Sequence, residues 1–441
     1  MSLIETCIDS LCGIGHHFGG LSVGNTASER HRHEISRPME AALQGLKKAD
    51  LVKSMGVEQL LLPPLLRPRI ELLDQAGFGG NLEEKLKQAL NQAPNLLSAV
   101  WSSSFIWTAN LGHFTAYTDS QSAKAHLTLA NLVSHFHRTL EVQERYETLK
   151  DWLGPHIEVH PPLPSCLNLA DEGAANTTRL FHPRQTHLAI HHFVYGFAAS
   201  EISTRKYPAR QSKEALEWMT RLHQLNGEHI HFSQQNPEVI DKGVFHNDVI
   251  CSGHSDLLLC HEKAFVNTEK ELQSLKELYR EVTGASLKVF LVTESEMSVE
   301  EAVQSYFFNC QILQTPKGLA VLFPVECEKM PRAKALCQKL LASSFIADMR
   351  FIDLTQSMSN GGGPACLRLR AHLSSSQLKG LSHLKLNKEK VEQLEAFIKG
   401  HYPKSLTFDM LADPHFVQKA HLCHRKLMDL LNLPYDFDEI L

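Results

Sequence analysis

The sequence predicts an α/β protein made of repeated strand-hairpin and helix units within one large domain. Short apolar stretches typical of strands alternate along the chain with longer patterns typical of helices. Several strand pairs are separated by only a few residues, as at Gly253 and Gly318, and a helical pattern then follows. This order favours repeated mixed units over a doubly wound parallel sheet. No linker rich in proline and serine divides the 441 residues, so we expect a single domain over 1–441.

The elements can be assigned in chain order. A polar, glycine-rich loop spans 13–28, and a helix follows at 38–55, where Pro38 suits the first turn. Strand patterns lie at 97–101, 105–108, 187–195, 229–233, 249–261, 287–293, 311–323, 349–354 and 367–373. Helical patterns lie at 137–153, 211–225, 268–283, 332–342, 387–399 and 414–431. The last of these is expected to be a packing element in a C-terminal helical extension at about 405–441.

The composition argues against nucleic-acid and membrane partners. The net charge is −5, and no run of lysine and arginine exceeds two residues. The first fifteen residues lack the basic and apolar regions of a secretory signal, and no stretch of about 18 apolar residues is present. The ten cysteines are scattered without a CxxC pair, which is typical of reduced thiols. We therefore expect a cytoplasmic protein.

One cysteine follows the longest run of consecutive glycines in the chain. Residues 357–370 read SMSNGGGPACLRLR, so three glycines and a proline precede Cys366. From Cys366 onward, the period of two predicts a strand whose polar face also carries Arg368, Arg370 and His372. The glycines allow backbone N–H groups to approach a ligand, and nearby cations or N–H dipoles would favour a thiolate. The alternative is an ordinary buried cysteine beside a loop.

Two further motifs carry side chains suited to acid–base chemistry. The segment FHNDVI places His246 and Asp248 on the same side of an extended chain. The segment LADEGAANTTRL places Asp171 and Glu172 in a loop of small residues, where a carboxylate could orient a histidine or hold a cation. A structural His-x-Asp pair and a solvated turn are the respective alternatives.

The glycine-rich loop and the histidines give less specific signals. The segment GGLSVGNTAS at 19–28 resembles a phosphate-binding loop in composition, but it lacks the Walker A pattern and its lysine. Such a loop can still supply N–H and hydroxyl contacts to a small substrate. The 26 histidines fall in short clusters that have neither HExxH nor zinc-finger spacing, so we expect no metal site.

These side chains together suggest a reaction. A convergence of Cys366 and His246 with one carboxylate of the DEGAAN segment would form a set for covalent catalysis. Asp248 would then be an additional carboxylate, which an amide substrate does not need and a guanidinium does. The thiolate would attack the guanidine carbon, and His246 would protonate the departing ammonia. The same histidine would then activate water to release the covalent intermediate.

Five motifs resemble those of the succinylarginine dihydrolases, which are guanidino-modifying enzymes with the pentein fold. The motifs are SMSNGGGPACLRLR, FHNDVI, DEGAAN, YPARQ and GGLSVGNTAS, and they follow one another collinearly along the chain. The resemblance implies a five-bladed pseudosymmetric α/β propeller with the active site on its central axis. It also implies a cytoplasmic homodimer that acts on succinylarginine without a cofactor or metal.

The resemblance carries over residue by residue. It implies Cys366 as the nucleophile, His246 as the acid–base residue and Glu172 as the third catalytic residue. Asp248 matches the position that binds the guanidinium. The other positions that contact substrate in the family correspond here to Gly19, Gly20, Leu21, Ser22, Val23, Gly24, Asn25, Thr26, Ala27, Ser28, Asn110, His137, Arg138, Arg210 and Asn360.

The chemistry of these residues agrees with such a substrate. Arg138 and Arg210 can neutralise the two carboxylates of succinylarginine. Asn110 stands where the related deiminases tend to have an acid, so it would hold the guanidinium less tightly and permit a second attack on the ureido group. The implied products are succinylornithine, carbon dioxide and two ammonia. A deiminase that stops after one ammonia, a non-catalytic pentein-like binding protein and a metal-dependent hydrolase are the competing interpretations.

Overall fold

The structure is a computed structural model that describes residues 3–198 and 204–434. Within these residues, a three-stranded sheet occurs five times. In each sheet the first strand pairs antiparallel with the central strand, and the central strand pairs in parallel with the third. The strands are β1 (Ile4–Ser10), β2 (Glu58–Leu62), β3 (Gly112–Thr115), β4 (His126–Leu129), β5 (Glu158–His160), β6 (Thr177–Phe181), β7 (Ala189–Tyr195), β8 (Ile230–Gln234), β9 (Cys251–His254), β10 (Leu257–His261), β11 (Lys288–Val292), β12 (Gln311–Thr315), β13 (Gly318–Pro324), β14 (Asp348–Ile352) and β15 (Leu369–Leu373).

Helices connect the sheets and cover them. The α-helices of the described residues are α1 (Thr26–Arg30), α2 (Pro38–Ser54), α3 (Glu71–Gln75), α4 (Leu82–Gln92), α5 (Pro94–Trp101), α6 (Phe136–Thr139), α7 (Val142–Leu153), α8 (Lys213–Leu222), α9 (Pro237–Ile240), α10 (Thr268–Thr283), α11 (Val299–Ser305), α12 (Glu326–Lys329), α13 (Pro331–Ala342), α14 (Thr355–Ser359), α15 (Ser375–Gly380), α16 (Lys388–His401) and α17 (Pro414–Leu431). Neighbouring parallel strands need a crossover, and each blade has a helix of ten or more residues between its central and third strands. These helices are α2, α7, α8, α10 and α13.

The two ends of the chain share one blade. Strand β15, late in the sequence, pairs antiparallel with β1, for example at Cys7 and Arg370. Strand β1 also pairs in parallel with β2, so it is the central strand of this sheet. The first blade is therefore completed by a strand that follows the other four blades in the sequence.

The first strands of the five blades form a closed ring. Strand β15 contacts β3, and β9 contacts both β6 and β12. Two hydrogen bonds complete the ring, one between His113 Nδ1 on β3 and Thr177 Oγ1 on β6 at 2.9 Å, and one from Arg370 Nη2 on β15 to the carbonyl of Ile312 on β12 at 2.5 Å. The loops that precede these strands are thereby brought to a common axis.

Local sequence explains the helices that were predicted with correct ends. Helix α10 begins after Asn267, whose side chain accepts the Lys270 N–H, and ends at Gly284 in the left-handed conformation at φ 70°. Its buried residues include Leu272, Leu275 and Tyr279, which lie on one face. Cap and periodicity agree here, so the predicted range 268–283 is confirmed.

Two predicted strands are wrong. The stretch 97–101 belongs to helix α5, and 105–108 falls in short 3₁₀ turns at Ser104–Ile106 and Thr108–Asn110. Pro94 at the first helical position fixes φ for a helix, and the apolar run that follows is buried. A short apolar run with every side chain buried does not distinguish strand from helix.

Six strands, β1 to β6, were not predicted. Their sequences contain polar side chains that are buried, such as Thr6 and Asp9 on β1. Alternation of polar and apolar residues reveals a strand only where the polar face meets solvent. Apart from β5, most residues of these strands are buried whether they are polar or apolar, so the usual signal is missing.

The two predicted hairpins are present, with one change in detail. The turn between β12 and β13 ends at Gly318 with φ 119°, as expected. The turn between β9 and β10 lies at Ser255, with φ 57°, rather than at Gly253, which is within β9. Gly253 is needed because a Cβ atom there would lie 2.8 Å from the side chain of Thr178.

The C-terminal extension packs as expected as far as the structure describes it. Helix α17 buries Phe416, Val417 and Leu427 in the largest apolar cluster. The Phe416 ring stacks on Trp101 with centroids 5.0 Å apart. Residues 1–2, 199–203 and 435–441 of the predicted domain lie outside the described residues. None of the helices within 3–198 and 204–434 has the length and apolar character needed to span a membrane.

Candidate active site

Each blade contributes one polar side chain to a common point on the axis. The segments just before the first strands end close together because those strands form a ring. The five side chains, in chain order, are Asn110 before β3, Glu172 before β6, Asp248 before β9, Asn309 before β12 and Cys366 before β15.

Cys366 lies in a turn three residues before β15, so the prediction that a strand face presents it is wrong. Its N–H donates to the carbonyl of Gly363 at 3.1 Å. The neighbouring blades hold the turn, because Ala365 N–H donates to the carbonyl of Asn309 and Ala109 N–H donates to the carbonyl of Cys366, both at 3.1 Å. The thiol is thus positioned by contacts between blades.

The glycines before Cys366 serve packing rather than ligand binding through N–H groups. The N–H of Gly361 donates to the Met358 carbonyl and that of Gly362 to the Ser357 carbonyl, so both are used within the turn. Gly361 has φ 93°, and a Cβ atom there would lie 1.8 Å from Nδ2 of Asn25. Only glycine satisfies both conditions. The expected use of these N–H groups toward a ligand is therefore wrong for Gly361 and Gly362.

The Cys366 thiol is buried beside a buried carboxylate. Its sulfur lies 3.8 Å from Oδ2 of Asp248. Burial and then Asp248 raise the pKa of Cys366 well above its ordinary value. Burial raises the pKa of Asp248 to about 7, against the opposing effect of Arg368. A bound cation would favour the charged forms of both groups, which points to a positively charged substrate.

His246 is paired with Glu172. The imidazole Nε2 lies 2.7 Å from Oε2 of Glu172, which also accepts from Arg138 Nη1 at 2.5 Å, and the second carboxylate oxygen accepts from Ser134. Burial alone would raise the pKa of Glu172, but Arg138 and His246 hold it well below its usual range. Burial lowers the pKa of His246 to about 4 despite this partner. A neutral imidazole that donates from Nε2 leaves Nδ1 as a proton acceptor.

The neighbouring carboxylate of Asp171 points elsewhere. It accepts from His113 Nε2 at 2.7 Å and from the Gly173 N–H at 3.2 Å. The residue pattern alone left open which of the two acids would partner a histidine, and the family resemblance implied Glu172. The geometry pairs Glu172 with His246. Asn110 lies beside that acid, since its Nδ2 donates to the Glu172 carbonyl at 2.9 Å.

One wall of the pocket is basic. Arg210 Nη2 donates to the Val23 carbonyl at 2.7 Å, and its guanidinium lies over the Phe245 ring at 4.8 Å. Its Nε is buried and has no hydrogen-bond partner among the described residues, so Arg210 has donors available for an anionic ligand. Burial lowers its pKa to about 10, so it remains a cation at neutral pH. Burial lowers the pKa of His137, on the same wall, to about 3.

Most of the sequence-predicted substrate residues line a single pocket with Cys366. The predicted residues that line this pocket are Gly19, Gly20, Leu21, Ser22, Asn25, Ser28, Asn110, His137, Arg138, Arg210, His246 and Asn360. The loop residues Val23, Gly24, Thr26 and Ala27 are not part of this lining, and Glu172 and Asp248 lie behind it.

The glycine-rich loop and the cysteine turn are joined through Asn360. Its Oδ1 accepts from Ser28 Oγ at 3.2 Å, and its carbonyl accepts from Asn25 Nδ2 at 3.4 Å. Its own Nδ2 donates to the His17 carbonyl at 3.1 Å. The pocket wall formed by 19–28 is therefore tied to the segment that carries Cys366.

Sequence reasoning missed Asn309. Its side-chain amide contacts the Cys366 sulfur, with Nδ2 at 3.2 Å and Oδ1 at 3.3 Å. The available signal was its position two residues before the predicted strand 311–323, because Cys366 and Asp248 also stand just before predicted strands. Within 3–198 and 204–434, no three or more His, Cys, Asp or Glu side chains are grouped so as to hold a metal ion.

The fold is shared with solved arginine dihydrolases. The N-terminal domain of ArgZ bound to product, an arginine dihydrolase from cyanobacteria, matches with a TM-score of 0.50 and 16% identity over 83% of this chain and 97% of that chain. A second ArgZ structure, the apo form, has the same TM-score and covers 40% of that longer chain. The five blades therefore define the class of the protein as a pentein-type α/β propeller, with a buried thiol, an imidazole and carboxylates at one pocket.

Within this class, the chain belongs to the succinylarginine dihydrolase family. The family model matches residues 2–438. The N-succinylarginine dihydrolase of Photobacterium profundum is 38% identical over 444 residues, and that of Aeromonas hydrophila is 39% identical over 441 residues. Each comparison covers 98% of both chains. The expected family and fold are confirmed.

Proposed function

We propose that the protein hydrolyses N-succinyl-L-arginine with two waters to N-succinyl-L-ornithine, carbon dioxide and two ammonia, in arginine catabolism by the succinyl route. Family membership over the whole chain supports the substrate class. The observation that carries the proposal is the meeting of Cys366, Asp248 and the His246–Glu172 pair from three blades in one buried site. The reaction requires neither a cofactor nor a metal.

Substrate charge matches the charges of the site. The guanidinium binds against Asp248, which becomes a carboxylate as the cation replaces its proton. This places the guanidine carbon beside the sulfur of Cys366. Arg210, which lines the same pocket, binds a carboxylate through its Nε, which has no hydrogen-bond partner among the described residues. Arg138 lines the same wall, although one of its nitrogens is bonded to Glu172.

The first half of the reaction is a covalent hydrolysis. His246 Nδ1 accepts the Cys366 proton, and Glu172 stabilises the resulting imidazolium. The thiolate attacks the guanidine carbon, His246 returns the proton to the departing nitrogen, and ammonia leaves. The C–S bond of the amidino-thioether then breaks when water, deprotonated at His246, attacks the same carbon. This step yields a ureido compound and regenerates the free Cys366 thiolate.

The second half repeats this sequence on the ureido carbon. Thiolate attack releases the second ammonia and leaves a thiocarbamate. Water cleaves the C–S bond to give a carbamate, which loses carbon dioxide and leaves the free amine of succinylornithine. Asn110 is neutral and donates to the Glu172 carbonyl, so it adds no charge that would retain only a guanidinium. The ureido group, which is uncharged, can therefore be bound and attacked.

The test is the amount of ammonia released per succinylarginine consumed by the purified protein, with free arginine in parallel. Two ammonia per substrate, with arginine inert, is the expected result. One ammonia would make the protein a deiminase. Cys366→Ala is the control and should lower turnover by about 10⁴-fold or more. Full turnover by this variant, or none by the wild type with either compound, would refute the proposal.

We also propose that the enzyme acts in the cytoplasm as a homodimer of single-domain subunits. The family resemblance supports this assembly, and two large apolar side chains are exposed on elements that contact each other, Leu167 in the 3₁₀ turn Leu167–Leu169 and Trp218 on helix α8. Light scattering of the purified protein should give twice the chain mass of 49.6 kDa. A mass equal to one chain at micromolar concentration would refute the homodimer.

A further inference from the structure

The fourth blade contributes a side chain that contacts the nucleophile. Asn309 lies just before β12 and has no solvent-accessible surface. Its amide faces the Cys366 sulfur with both polar atoms, Nδ2 at 3.2 Å and Oδ1 at 3.3 Å. No other described side chain has two atoms within hydrogen-bond distance of this sulfur.

The backbone around Asn309 fixes this contact. Helix α11 ends at Ser305, and the next residue, Tyr306, caps it in the left-handed conformation at φ 54°. The Asn309 carbonyl accepts the Ala365 N–H at 3.1 Å. A Cβ atom at Gly363 would lie 2.5 Å from Oδ1 of Asn309, so a glycine is needed where the cysteine turn passes over the amide. The turn that carries Cys366 therefore packs directly against Asn309.

We propose that Asn309 is a further catalytic residue, whose side-chain amide hydrogen-bonds Cys366 in both protonation states and stabilises the thiolate each time it forms or leaves. The inference rests on Cys366 being the nucleophile of the proposed function. The amide oxygen accepts from the thiol before attack. The amide nitrogen donates to the thiolate during attack and again when water displaces the sulfur.

The surroundings explain why a neutral donor is needed there. The titratable groups around Cys366 include Asp248, Arg368 and Tyr306, which interact with it electrostatically, and His246, which lines the same pocket. Burial and then Asp248 raise the pKa of Cys366, whereas the hydrogen bond from Asn309 lowers it. The same amide also acts to lower the pKa of Asp248, against the larger effect of burial. A lysine or arginine at this position would repel the guanidinium of the substrate, and the amide stabilises the thiolate without adding that charge.

The experiment measures the thiolate directly and needs no substrate. Iodoacetamide reacts with the thiolate, so the rate of alkylation of the peptide that contains Cys366 reports the thiolate fraction. We expect Asn309→Ala to slow alkylation at a fixed pH by about 10-fold or more, because a hydrogen bond to a charged group is lost. With substrate, kcat should fall by about 10- to 100-fold with little change in KM.

Gln311 provides a matched control two residues further on. Its side-chain amide is also fully buried, and its Nε2 lies 3.2 Å from the sulfur of Cys7, outside the pocket. Gln311→Ala therefore removes a similar amide-to-sulfur contact from the same segment. We expect this variant to lose stability without changing the alkylation rate of Cys366.

Two outcomes would overturn the inference. The first is a folded Asn309→Ala variant whose Cys366 alkylation rate equals that of the wild type. The second concerns Asn309→Asp, which is used instead if the alanine variant does not fold, because aspartate has the same shape as asparagine. Its carboxylate should slow alkylation further, and an unchanged rate would refute the role. Because alkylation does not depend on succinylarginine, failure of the proposed substrate would leave this result interpretable.

Discussion

At the scale of single residues, burial keeps the reacting groups uncharged until a substrate arrives. The pKa of Cys366 is raised by burial and by Asp248, and that of Asp248 is raised to about 7 by burial. His246 stays neutral because burial lowers its pKa to about 4. A guanidinium supplies the positive charge that converts the first two groups to their reactive forms. The substrate therefore takes part in activating the site.

Replacing Asp248 should change the pH dependence of stability. Folded Asp248 keeps its proton up to about pH 7, whereas the unfolded chain releases it near 3.8. The folded state therefore binds more protons in this window, and the wild type loses stability as the pH rises through it. We expect Asp248→Asn to be more stable than the wild type by about 2 kcal/mol at about pH 8, with little difference at about pH 4.

Urea unfolding of both proteins at the two pH values measures this difference. A gap of the same size at both values would show that Asp248 does not retain its proton in the folded state. The variant should also bind succinylarginine more weakly, because the carboxylate that pairs with the guanidinium is gone.

Replacing Asn110 should separate the two halves of the reaction. In Asn110→Asp, a carboxylate stands beside the guanidinium and the donor to the Glu172 carbonyl is lost. Charge then favours the guanidinium over the neutral ureido intermediate. We expect one ammonia per substrate and accumulation of the ureido compound, measured by ammonia assay and mass spectrometry. Two ammonia per substrate from this variant would rule out the role assigned to Asn110.

At the scale of elements, the C-terminal helix α17 supports the pocket from behind. Ala420, Cys423 and Leu427 line the far end of the same pocket that contains Cys366. The helix is anchored to α5, because Phe416 stacks on Trp101, whose indole N–H donates to the Leu411 carbonyl at 2.8 Å. Packing of this helix therefore affects both the core and the depth of the pocket.

Helix α17 offers a matched pair of substitutions. Phe416 is 4% exposed and Leu422 is 50% exposed on the same helix. We expect Phe416→Ala to lower the free energy of unfolding by about 3–5 kcal/mol, because it leaves a cavity against Trp101. Leu422→Ala should change it by less than about 0.5 kcal/mol. Chemical denaturation measures both, and equal losses would contradict the assignment of α17 to the core.

At the scale of the whole molecule, closure of the first blade links the chain ends. Strand β1 holds β15 on one side and β2 on the other, so the ring is complete only when both ends are folded. The site depends on this closure, since its five side chains come from five blades. A defect in one blade should therefore affect the entire ring.

We expect a single cooperative thermal transition, with calorimetric and van't Hoff enthalpies in agreement. Thr6→Pro, at the centre of β1, removes a donor from the middle of a sheet and should lower the temperature of the whole transition. Differential scanning calorimetry measures this. A separate early transition in the variant would indicate that the blades unfold independently and that the single-domain prediction is wrong.

The sequence by itself determined the features that short stretches encode. Helices α10 and α17 follow from periodicity and end signals, and their predicted ranges are confirmed. The α/β class and the hairpin units follow from the same local patterns. The motifs around Cys366, His246 and Asp248 were sufficient to suggest thiol chemistry on a guanidinium. The number of blades, five, was expected only from the resemblance to a known family.

The tertiary structure decided what depends on contacts between distant residues. It selected Glu172 over Asp171 through a 2.7 Å contact with His246, 74 residues away in the chain. It placed Cys366 in a turn held by other blades, and it brought Asn309 to the sulfur. It also showed β1 to β6 to be strands, in most of which buried polar residues remove the alternation of buried apolar and exposed polar side chains. Such pairings arise only when the ring closes, because no local pattern records which blade a side chain will face.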